Sequence, residues 1–494
     1  MYDFLLPDVL ATGPIGLVAL MGIAVVLVDS FRNDSPAIPW LSGGALLVAL
    51  AIEASRIGAV TGEAFFGHVL VGGFASFANV VILLGALGSL VLSAPYLRRI
   101  GHDYGEVYAL VLFATTGMMV LANAGSLILL FVGLETMSIP LYVLTGLVRE
   151  EEGANESALK YFLLGAFSTG FFLYGIALLY GATGTMMLGA MAEGLAQTGS
   201  VGLFTGGVAL LLVGFFFKVS AVPFHMWTPD VYQGAPTTLT GYMSTASKAA
   251  TFAALILVLV RVFPLGEVAE NTQLILAAVA AVTMVVGNVL ALAQSNVKRL
   301  LAYSSIAHAG YILTGLAAGT AIGYAGALYY LLAYTVMNVG AFGVMAVLEW
   351  DGEQGATQTV DSLAGVGYRK PLLGVAMGVF MFALTGFPPL AGFFGKYFVF
   401  AAAVDGGLLW LAVVGVLASV VSAYYYLRVL VAFWMKEPEE APEAARQAFP
   451  VPALTTALLV ACAVGLLVLG LVPGLVADAA GAFFAAAPTA ATLP

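Results

Sequence analysis

Four lysines lie inside or at the edge of long apolar stretches, and lysine is a side chain that can take up and release a proton. They are four of the seven lysines among 494 residues: Lys160, Lys218, Lys248 and Lys396. A charged lysine near the centre of a bilayer costs about 2.5–3.5 kcal/mol, so each needs a partner or a wet cavity. Glu135, in Leu-Ile-Leu-Leu-Phe-Val-Gly-Leu-Glu-Thr-Met, is the candidate partner. A nearby carboxylate favours a charged lysine and desolvation a neutral one, so a moving partner can load or release a proton.

Proline interrupts two of these apolar stretches beside a lysine. Residues 214–230 read Gly-Phe-Phe-Phe-Lys-Val-Ser-Ala-Val-Pro-Phe-His-Met-Trp-Thr-Pro-Asp, and the Pro223 ring crowds the Val219 carbonyl, so a helix should open just after Lys218. Residues 384–396 read Leu-Thr-Gly-Phe-Pro-Pro-Leu-Ala-Gly-Phe-Phe-Gly-Lys, where two prolines free two carbonyls. An ordinary proline kink is the alternative for either segment alone. Two lysine-bearing breaks indicate discontinuous helices that line a transport pathway.

Composition places these residues in a polytopic, all-α membrane protein. The chain is 61% hydrophobic and 9% charged with a mean hydropathy of +1.02, against about 25% charged residues in soluble domains. A span needs about 20 mostly apolar residues. Fourteen candidates lie near 8–29, 38–55, 68–93, 105–122, 124–147, 158–181, 203–235, 237–261, 272–293, 300–319, 323–348, 371–403, 406–434 and 451–474. The first lacks a basic region before it and a clear cleavage site after it, so we expect a retained helix rather than a signal peptide.

The distribution of basic residues predicts the orientation. The odd-numbered loops carry eleven: Arg32, Arg98, Arg99, Arg149, Lys298, Arg299, Arg369, Lys370, Arg428, Lys436 and Arg446. The even-numbered loops carry two, Arg56 and Arg261. We therefore expect the odd loops in the cytoplasm and both termini on the outer, periplasmic face. The net charge of −10 arises mostly from acidic loops and points to no nucleic-acid partner.

Redox and metal chemistry have few candidate residues here. The single cysteine, Cys462, lies in the last span, and an iron–sulfur cluster needs several thiolates. The sequence contains no dinucleotide fingerprint between a strand and a helix, no Walker loop and no His/Cys metal spacing. We therefore expect no cofactor in this chain.

The breaks lie five spans apart, which predicts two copies of one five-helix unit. An odd number of spans per copy makes consecutive copies inverted. The expected organisation is helices 1–3 in residues 1–103, a first antiporter-like repeat (helices 4–8) in 104–262, a second (helices 9–13) in 271–435, and helix 14 in 451–474. The two copies share no sequence identity strong enough to see by eye, so the prediction depends on the matched breaks.

Three long motifs resemble a known family. Residues 218–237 read Lys-Val-Ser-Ala-Val-Pro-Phe-His-Met-Trp-Thr-Pro-Asp-Val-Tyr-Gln-Gly-Ala-Pro-Thr, and residues 295–311 read Ser-Asn-Val-Lys-Arg-Leu-Leu-Ala-Tyr-Ser-Ser-Ile-Ala-His-Ala-Gly-Tyr. With Gly-Phe-Pro-Pro-Leu-Ala-Gly-Phe-Phe-Gly-Lys at 386–396, they resemble the antiporter-like subunits of respiratory complex I from about span four to span thirteen. Lysine rather than glutamate in the second break argues against the M-type subunit. Fourteen spans without a long C-terminal lateral helix argue against the L-type subunit, which leaves the N-type branch.

The resemblance implies a role for each ionisable residue of the first unit. Glu135 matches the family's fifth-span glutamate, which tunes a lysine; the plainer alternative is a structural carboxylate between helices. Lys218 matches the exchanging lysine; a lysine that snorkels to an interface fits poorly because Phe215–Phe217 precede it. Lys160 matches a lysine on the input side, although an i,i+4 surface ion pair with Glu156 also explains it.

The resemblance also implies roles for the later residues. Lys248, on a polar stripe with Ser244 and Thr251, matches a hydrated central connection, and Lys396 would carry the proton towards the outer face; for both, snorkelling is the alternative. His308 shares a face with Ser304, Ser305 and Tyr311, and His225 lies two residues beyond the break. Both histidines are candidates for a polar wire, with a packed, hydrogen-bonded histidine as the alternative. The run Tyr424-Tyr425-Tyr426 predicts an interfacial belt or a packing group.

The resulting hypothesis is a proton-translocating subunit of an NADH:quinone oxidoreductase in a bacterial inner membrane. Moving one charge against 100 mV costs about 2.3 kcal/mol, and no group in the chain supplies that energy. The resemblance names the source as redox chemistry at FMN, iron–sulfur clusters and quinone in partner subunits of the complex. A subunit of a multisubunit sodium/proton antiporter, or a non-pumping structural arm, are the alternatives.

Overall fold

The computed structural model describes residues 2–31, 35–59, 62–262, 266–349, 358–437 and 451–484. Two of the basic residues used for orientation, Arg32 and Arg446, lie outside these ranges. Nearly all of the described chain is helical, as its composition predicts. The described strands, β1 (Gly62–Ala64) and β2 (Val69–Val71), form an antiparallel hairpin.

Within the described residues, the first half of the chain contains twelve α-helices. They are α1 (Tyr2–Ala11), α2 (Gly13–Phe31), α3 (Ile38–Ser55), α4 (Gly73–Arg99), α5 (Gly105–Ala122), α6 (Leu127–Thr145), α7 (Glu152–Thr183), α8 (Met191–Thr198), α9 (Val201–Val219), α10 (Trp227–Gly234), α11 (Thr237–Tyr242) and α12 (Lys248–Val262). A π-helical turn, Met243–Ser247, joins α11 to α12 without a break. A 3-10 turn, Leu188–Ala190, precedes α8.

The second half of the described chain contains nine more α-helices. They are α13 (Gly266–Leu292), α14 (Val297–Ala317), α15 (Ala321–Leu348), α16 (Val366–Arg369), α17 (Pro371–Thr385), α18 (Ala391–Asp405), α19 (Leu409–Met435), α20 (Ala453–Leu471) and α21 (Pro473–Ala482). A 3-10 turn, Asp361–Leu363, precedes α16.

Thirteen helical segments of the described chain are long and apolar enough to span a membrane. They match thirteen of the fourteen predicted spans. The remaining prediction, 371–403, corresponds to α17 and α18, two helices of 15 residues each on either side of the second proline break. The predicted span 203–235 is likewise divided into α9 and α10. The prediction of about fourteen spans with two broken helices is therefore confirmed.

Both breaks follow from backbone chemistry. Helix α9 ends at Val219, and Ser220 adopts a left-handed conformation with φ of 65°. Helix α17 ends at Thr385, and Gly386 has φ of 89°, a conformation that suits glycine. The peptide bonds Val222–Pro223 and Pro388–Pro389 are cis. Proline removes backbone donors at both places, so the preceding carbonyls need other partners.

Helix packing puts the continuous segment α11–α12, together with α14 and α15, at the centre of the molecule. Nearly every side chain of these helices is buried. Helix α2 packs closely on α5, and within the two predicted units the most extensive helix pairs are α5 with α6, α7 with α9, α13 with α14, and α15 with α18. Counted in spans, these are 4–5 and 6–7 in the first predicted unit, and 9–10 and 11–12 in the second. The pairing has the same order in both predicted units, while the two-copy organisation and the inverted relation of the copies stay predictions.

The outer surface of the helix bundle is apolar. Large side chains such as Leu20, Trp40 and Val420 are 67%, 73% and 67% exposed. Water would disfavour such a surface, whereas lipid chains accept it. The chain is therefore a multi-pass membrane protein.

Candidate functional site

Three of the four singled-out lysines lie deep in the protein. Lys218 is 4% exposed, Lys248 is 2% exposed and Lys396 is 5% exposed. Lys218 is in the last turn of α9, Lys248 begins α12 after the π-helical turn, and Lys396 lies in α18 beyond the second break. Burial of this kind excludes snorkelling to an interface for these three residues.

Aromatic rings surround the Lys218 ammonium. Lys218 Nζ lies 5.1 Å from the ring centroid of Tyr142 and 5.3 Å from that of Tyr161. It also lies 3.4 Å from the Tyr142 hydroxyl. Ring faces stabilise a cation without giving it a fixed counter-charge. These contacts therefore hold the Lys218 side chain in place without a direct salt bridge that would strongly stabilise its protonated form.

Glu135 lies partly buried on α6 and accepts a hydrogen bond of 2.8 Å from Thr169 Oγ1 of α7. Its carboxylate interacts electrostatically with Lys218, but none of the ion pairs within 4 Å in the described chain joins the two. The Glu135 and Lys218 charges therefore influence each other, although the two side chains form no direct ion pair. This separation is what an adjustable partner requires.

The first break places α10 against α7 and α14, and side chains of α10 and α13 bond to the chain around the break. Trp227 Nε1 donates to the Phe217 carbonyl at 3.0 Å, and Thr228 Oγ1 donates to Ser220 Oγ at 2.7 Å. The Val222 amide donates to Thr283 Oγ1 at 3.0 Å. Side chains thus take over backbone groups that the broken helix leaves open.

Lys160 lies at the surface end of this region, where its side chain is 42% exposed. Its Nζ lies 2.6 Å from Glu156 Oε1, which is the i,i+4 ion pair expected from the sequence, and 2.8 Å from Asp230 Oδ2. The other Asp230 oxygen lies 2.6 Å from an Arg299 nitrogen. Asp230 therefore joins α7, α10 and α14. These four residues line a polar cavity of about 280 Å³.

Lys248 is held by one residue of α14. Its Nζ donates to the Ser305 carbonyl at 2.9 Å and to Ser305 Oγ at 2.6 Å. Tyr334 of α15 donates to the same Ser305 hydroxyl at 2.7 Å. The Ser244 and Thr251 hydroxyls, which were predicted to share a polar stripe with Lys248, do not bond to it. They donate to carbonyls of their own helix. The π-helical turn before Lys248 is a distortion often found at functional positions.

His308 is at the centre of a fully buried hydrogen-bond network. Its Nδ1 lies 2.8 Å from the Tyr330 hydroxyl and its Nε2 lies 3.0 Å from the Tyr426 hydroxyl. Tyr426 also bonds to Ser304. A neutral imidazole donates through one nitrogen and accepts through the other. The two tyrosines can therefore serve as the two ends of a proton relay through the ring.

Lys396 satisfies the carbonyls that the second break leaves open. Its Nζ donates to the Leu384 carbonyl at 3.2 Å, the Thr385 carbonyl at 2.8 Å and Ser419 Oγ at 2.6 Å. The Nζ also lies 4.8 Å from the Tyr311 ring centroid. A side chain on Gly386 would meet the lysine, so that position needs glycine for space as well as conformation. A groove of about 760 Å³ between α18 and α19 opens beside Lys396.

One predicted residue is not joined to this network. His225 is partly buried in the first break, and its Nδ1 has no hydrogen-bond partner among the described residues. None of the described hydrogen bonds or ring contacts links it to Lys218 or Lys248. Its place in the pathway stays a prediction.

The structure adds Asp230, Tyr330, Tyr334 and Ser419, which the sequence did not single out, and it joins Tyr426 to His308. The tyrosine run shows why. Tyr424 is 62% exposed, whereas Tyr425 and Tyr426 are fully buried, so the run divides between an outward-facing ring and two packed rings, of which Tyr426 also bonds to His308. A usable signal was present, because residues 419, 422 and 426 are polar and three to four apart.

No group of three or more His, Cys, Asp or Glu side chains in the described chain is arranged to hold a metal ion. Cys462 is buried and free. The arrangement of buried lysines, histidine and tyrosines is suited to proton transfer.

Comparison with known proteins assigns the family. Residues 124–422 match the family described as "NADH:quinone oxidoreductase/Mrp antiporter, TM". The chain is 60% identical to the NADH-quinone oxidoreductase subunit N of Salinibacter ruber over 98% of this chain and 97% of that protein. It is 45% identical to the subunit N of Trichlorobacter lovleyi over 93% of both chains.

Solved structures agree with the sequence relatives. A chain of the respiratory complex I from Thermus thermophilus with bound aureothin is 40% identical and superimposes with a TM-score of 0.81, covering 94% of this chain and 98% of that one. A chain of the Mrp complex from Dietzia sp. has a TM-score of 0.85 over 97% of both chains at 21% identity, which shows a shared fold. This chain therefore belongs to the antiporter-like membrane subunits of the NADH:quinone oxidoreductase/Mrp family, and within it to the subunit N group.

Proposed function

We propose that this chain is a proton-translocating subunit in the membrane arm of a bacterial NADH:quinone oxidoreductase. The observation that carries the proposal is the series of buried lysines connected by α14, which contributes Ser305 to Lys248 and His308 to the tyrosine network. The names of the relatives supply the complex. The redox reaction takes place in partner subunits, and this chain supplies the proton path.

The path begins at the cavity around Lys160 and Asp230. A proton then reaches Lys218, whose charge responds to the position of Glu135. The next steps lead to Lys248, held by Ser305, and through the His308 network to Lys396. Water completes the intervals between side chains that do not touch, as hydrated intervals do in transport pathways.

The coupling is electrostatic or conformational. Transport against 100 mV needs about 2.3 kcal/mol for each charge, so the lysines must change affinity for the proton during turnover. Movement of a carboxylate partner does this, because it changes the relative stability of the charged and neutral lysine. Lys218 has aromatic contacts rather than a direct ion pair, which leaves its charge responsive to such a movement.

The location of the charged residues supports the proposed orientation. Lys160, Asp230 and Arg299 lie together at one end. Arg56 donates to the Ala11 carbonyl near the N-terminus, and Arg261 pairs with Glu63 of the hairpin. We assign the first end to the cytoplasm and the second, with both termini, to the outer face of the inner membrane.

The test of this function is transport by the purified complex, reconstituted in vesicles. We expect NADH and quinone to drive proton movement at the same rate with and without sodium, and an uncoupler to abolish the pH gradient. Proton exchange driven by a sodium gradient, without NADH or quinone, would instead identify a sodium/proton antiporter subunit. Redox turnover with full pumping after Lys218, Lys248 and Lys396 have all been replaced would identify a structural arm.

Asp230→Asn is expected to slow NADH-driven proton transport between about twofold and fivefold, since partly exposed ion pairs contribute modestly. Asparagine keeps the shape of the side chain but removes the charge that joins Lys160 to Arg299. Transport by vesicles with the variant complex measures the effect. Glu63→Gln, which removes an ion pair with Arg261 at the other end, is the control. Equal rates for both variants and the unmodified complex would exclude Asp230 from proton uptake.

A further inference from the structure

A second cluster of buried ionisable side chains lies apart from the lysine series. Glu349, directly after α15, is 4% exposed, and Lys298 in the first turn of α14 is 1% exposed. The two interact electrostatically. Lys298 Nζ donates to the Ala235 carbonyl at 2.7 Å, at the junction of α10 and α11. Buried ionisable groups in a membrane protein are rare and commonly functional, so this cluster needs an explanation.

Both Glu349 oxygens have hydrogen-bond partners, and one of these partners lines a surface cavity. Thr237 donates to Oε2, and Gln358 Nε2 donates to Oε1 at 2.9 Å. Asn296 Nδ2 lies 3.3 Å from Gln358 Oε1. Gln358 and Asn296 line the same 280 Å³ cavity as Lys160. A hydrogen-bond chain therefore connects this polar cavity to the buried carboxyl group.

An unpartnered hydroxyl marks the inner side of the cluster. Tyr232 of α10 is fully buried, and its hydroxyl has no hydrogen-bond partner among the described residues. The Tyr232 hydroxyl lies near the Ser305 side chain and near Tyr334, the two residues that are hydrogen-bonded to each other beside Lys248. Ser305 follows Lys298 by seven residues, which places it about 10 Å further along α14. Along the direction of α14, the Tyr232 hydroxyl is therefore further from Glu349 and nearer to Lys248 than Lys298 is.

We propose that Glu349 is a further proton-carrying residue, on an uptake branch that runs from the cavity through Gln358 and Glu349 towards Tyr232, Ser305 and Lys248. The branch bypasses Lys218 and rests on the proposed function. A hydronium ion in the cavity gives up a proton and becomes water, and an O–H bond forms on a Glu349 oxygen. That bond then breaks, and buried water passes the proton to the Ser305–Lys248 pair. No redox step is involved.

A purely structural carboxylate is the competing explanation, because Glu349 also holds Thr237 at the start of α11. Glu349→Gln separates the two. Glutamine keeps the length and one acceptor oxygen for Thr237 but cannot take up a proton. Glu349→Asp keeps the titratable group with a shorter reach. A proton carrier needs the carboxyl group, whereas a structural acceptor needs the length and the oxygen.

The experiment measures NADH-driven proton transport and NADH:quinone turnover in vesicles carrying the assembled complex. We expect E349Q to lower transport to about half or less, because one of two uptake branches is lost, and E349D to restore most of it. Q358L should lower transport in the same way as E349Q. Glu150→Gln changes a carboxylate that is 77% exposed, and it should leave transport unchanged.

Transport by E349Q at the unmodified rate would overturn the proposal. Equal loss in E349Q and E349D, with Q358L unaffected, would overturn it in favour of a structural carboxylate. If the E349Q complex does not assemble, proton transport by the Q358L complex tests the proposal instead. This variant leaves the contact between Glu349 and Thr237 in place. Failure of the unmodified complex to pump protons would contradict the proposed function, and is visible before any variant is compared.

Discussion

Membranes that carry Lys218→Ala in an assembled complex are expected to lose the NADH-driven proton transport that passes through this lysine, together with the NADH:quinone turnover coupled to it, while the Glu349 branch still supplies Lys248. Lys218 is 4% exposed, and its Nζ contacts aromatic rings and the Tyr142 hydroxyl. Without the amine, a proton would cross this region as a poorly solvated charge. That costs at least about 2.5 kcal/mol, which slows a step roughly 50-fold or more at about 1.36 kcal/mol per factor of ten. Proton uptake into the vesicles and quinone reduction are measured on the same membranes.

Two variants make this result specific. Lys436→Ala removes a partly exposed lysine that pairs with Asp361 at 2.8 Å, and it should leave both rates unchanged. Lys218→Arg keeps the positive charge, but an arginine does not release its proton in proteins, so it should fail as alanine does. Full activity of Lys218→Arg would show that only the charge is needed. Full pumping by Lys218→Ala would remove this lysine from the path.

Lys396→Met is expected to abolish proton transport and also to destabilise the complex. Methionine has a similar length but removes the donor to the Leu384 and Thr385 carbonyls and to Ser419. A buried carbonyl left without a partner costs about 1–3 kcal/mol. The second break would therefore lose both its titratable group and the contact that closes it. The amount of assembled complex, its thermal midpoint and its pumping rate are the three measurements.

Matched variants separate the two effects of Lys396. Lys396→Arg keeps donors near the open carbonyls, so the complex should assemble, yet it should not pump because arginine retains its proton. Ser419→Ala removes one acceptor and leaves the lysine on both carbonyls, so pumping should continue and stability should fall by about 1 kcal/mol or less. An assembled and fully pumping Lys396→Met complex would contradict both roles.

The spans and their breaks were predictable from the sequence for local reasons. Hydropathy over about 20 residues identifies a membrane helix whatever it packs against. Proline at 223 and at 388–389 removes backbone donors within the same segment, so the ends of α9 and α17 follow from neighbouring residues alone. The β hairpin and the short helices α8 and α16 lie outside what this pattern predicts.

Three of the four buried lysines were predictable for a related reason, whereas Lys298, which is 1% exposed, was counted with the loop residues. Lys218, Lys248 and Lys396 have apolar residues on both sides in the chain, which places them in the membrane before any contact is known. The carbonyls of Leu384 and Thr385 were also expected to be free. That Lys396 itself binds both of them was not expected, because α17 and α18 could have met in other ways.

The partners of these residues depend on which helix faces meet. His308 lies between Tyr330 of α15 and Tyr426 of α19, helices that begin more than ten residues and about one hundred residues further along the chain. Asp230 joins Lys160 to Arg299, although the three lie on three different helices. Apolar patterning shows that a face is buried but not which neighbour covers it.

The sequence by itself thus determined the class of protein, the positions of the spans and breaks, and the lysines that must be buried, because each depends on hydropathy or backbone chemistry within one segment. Only the tertiary structure decided that Tyr424 faces outwards while Tyr426 bonds to His308, that His225 stands apart from the network, and that Glu349 connects to the cavity of Lys160. These are contacts between distant segments, and their free energy depends on geometry that no single segment contains.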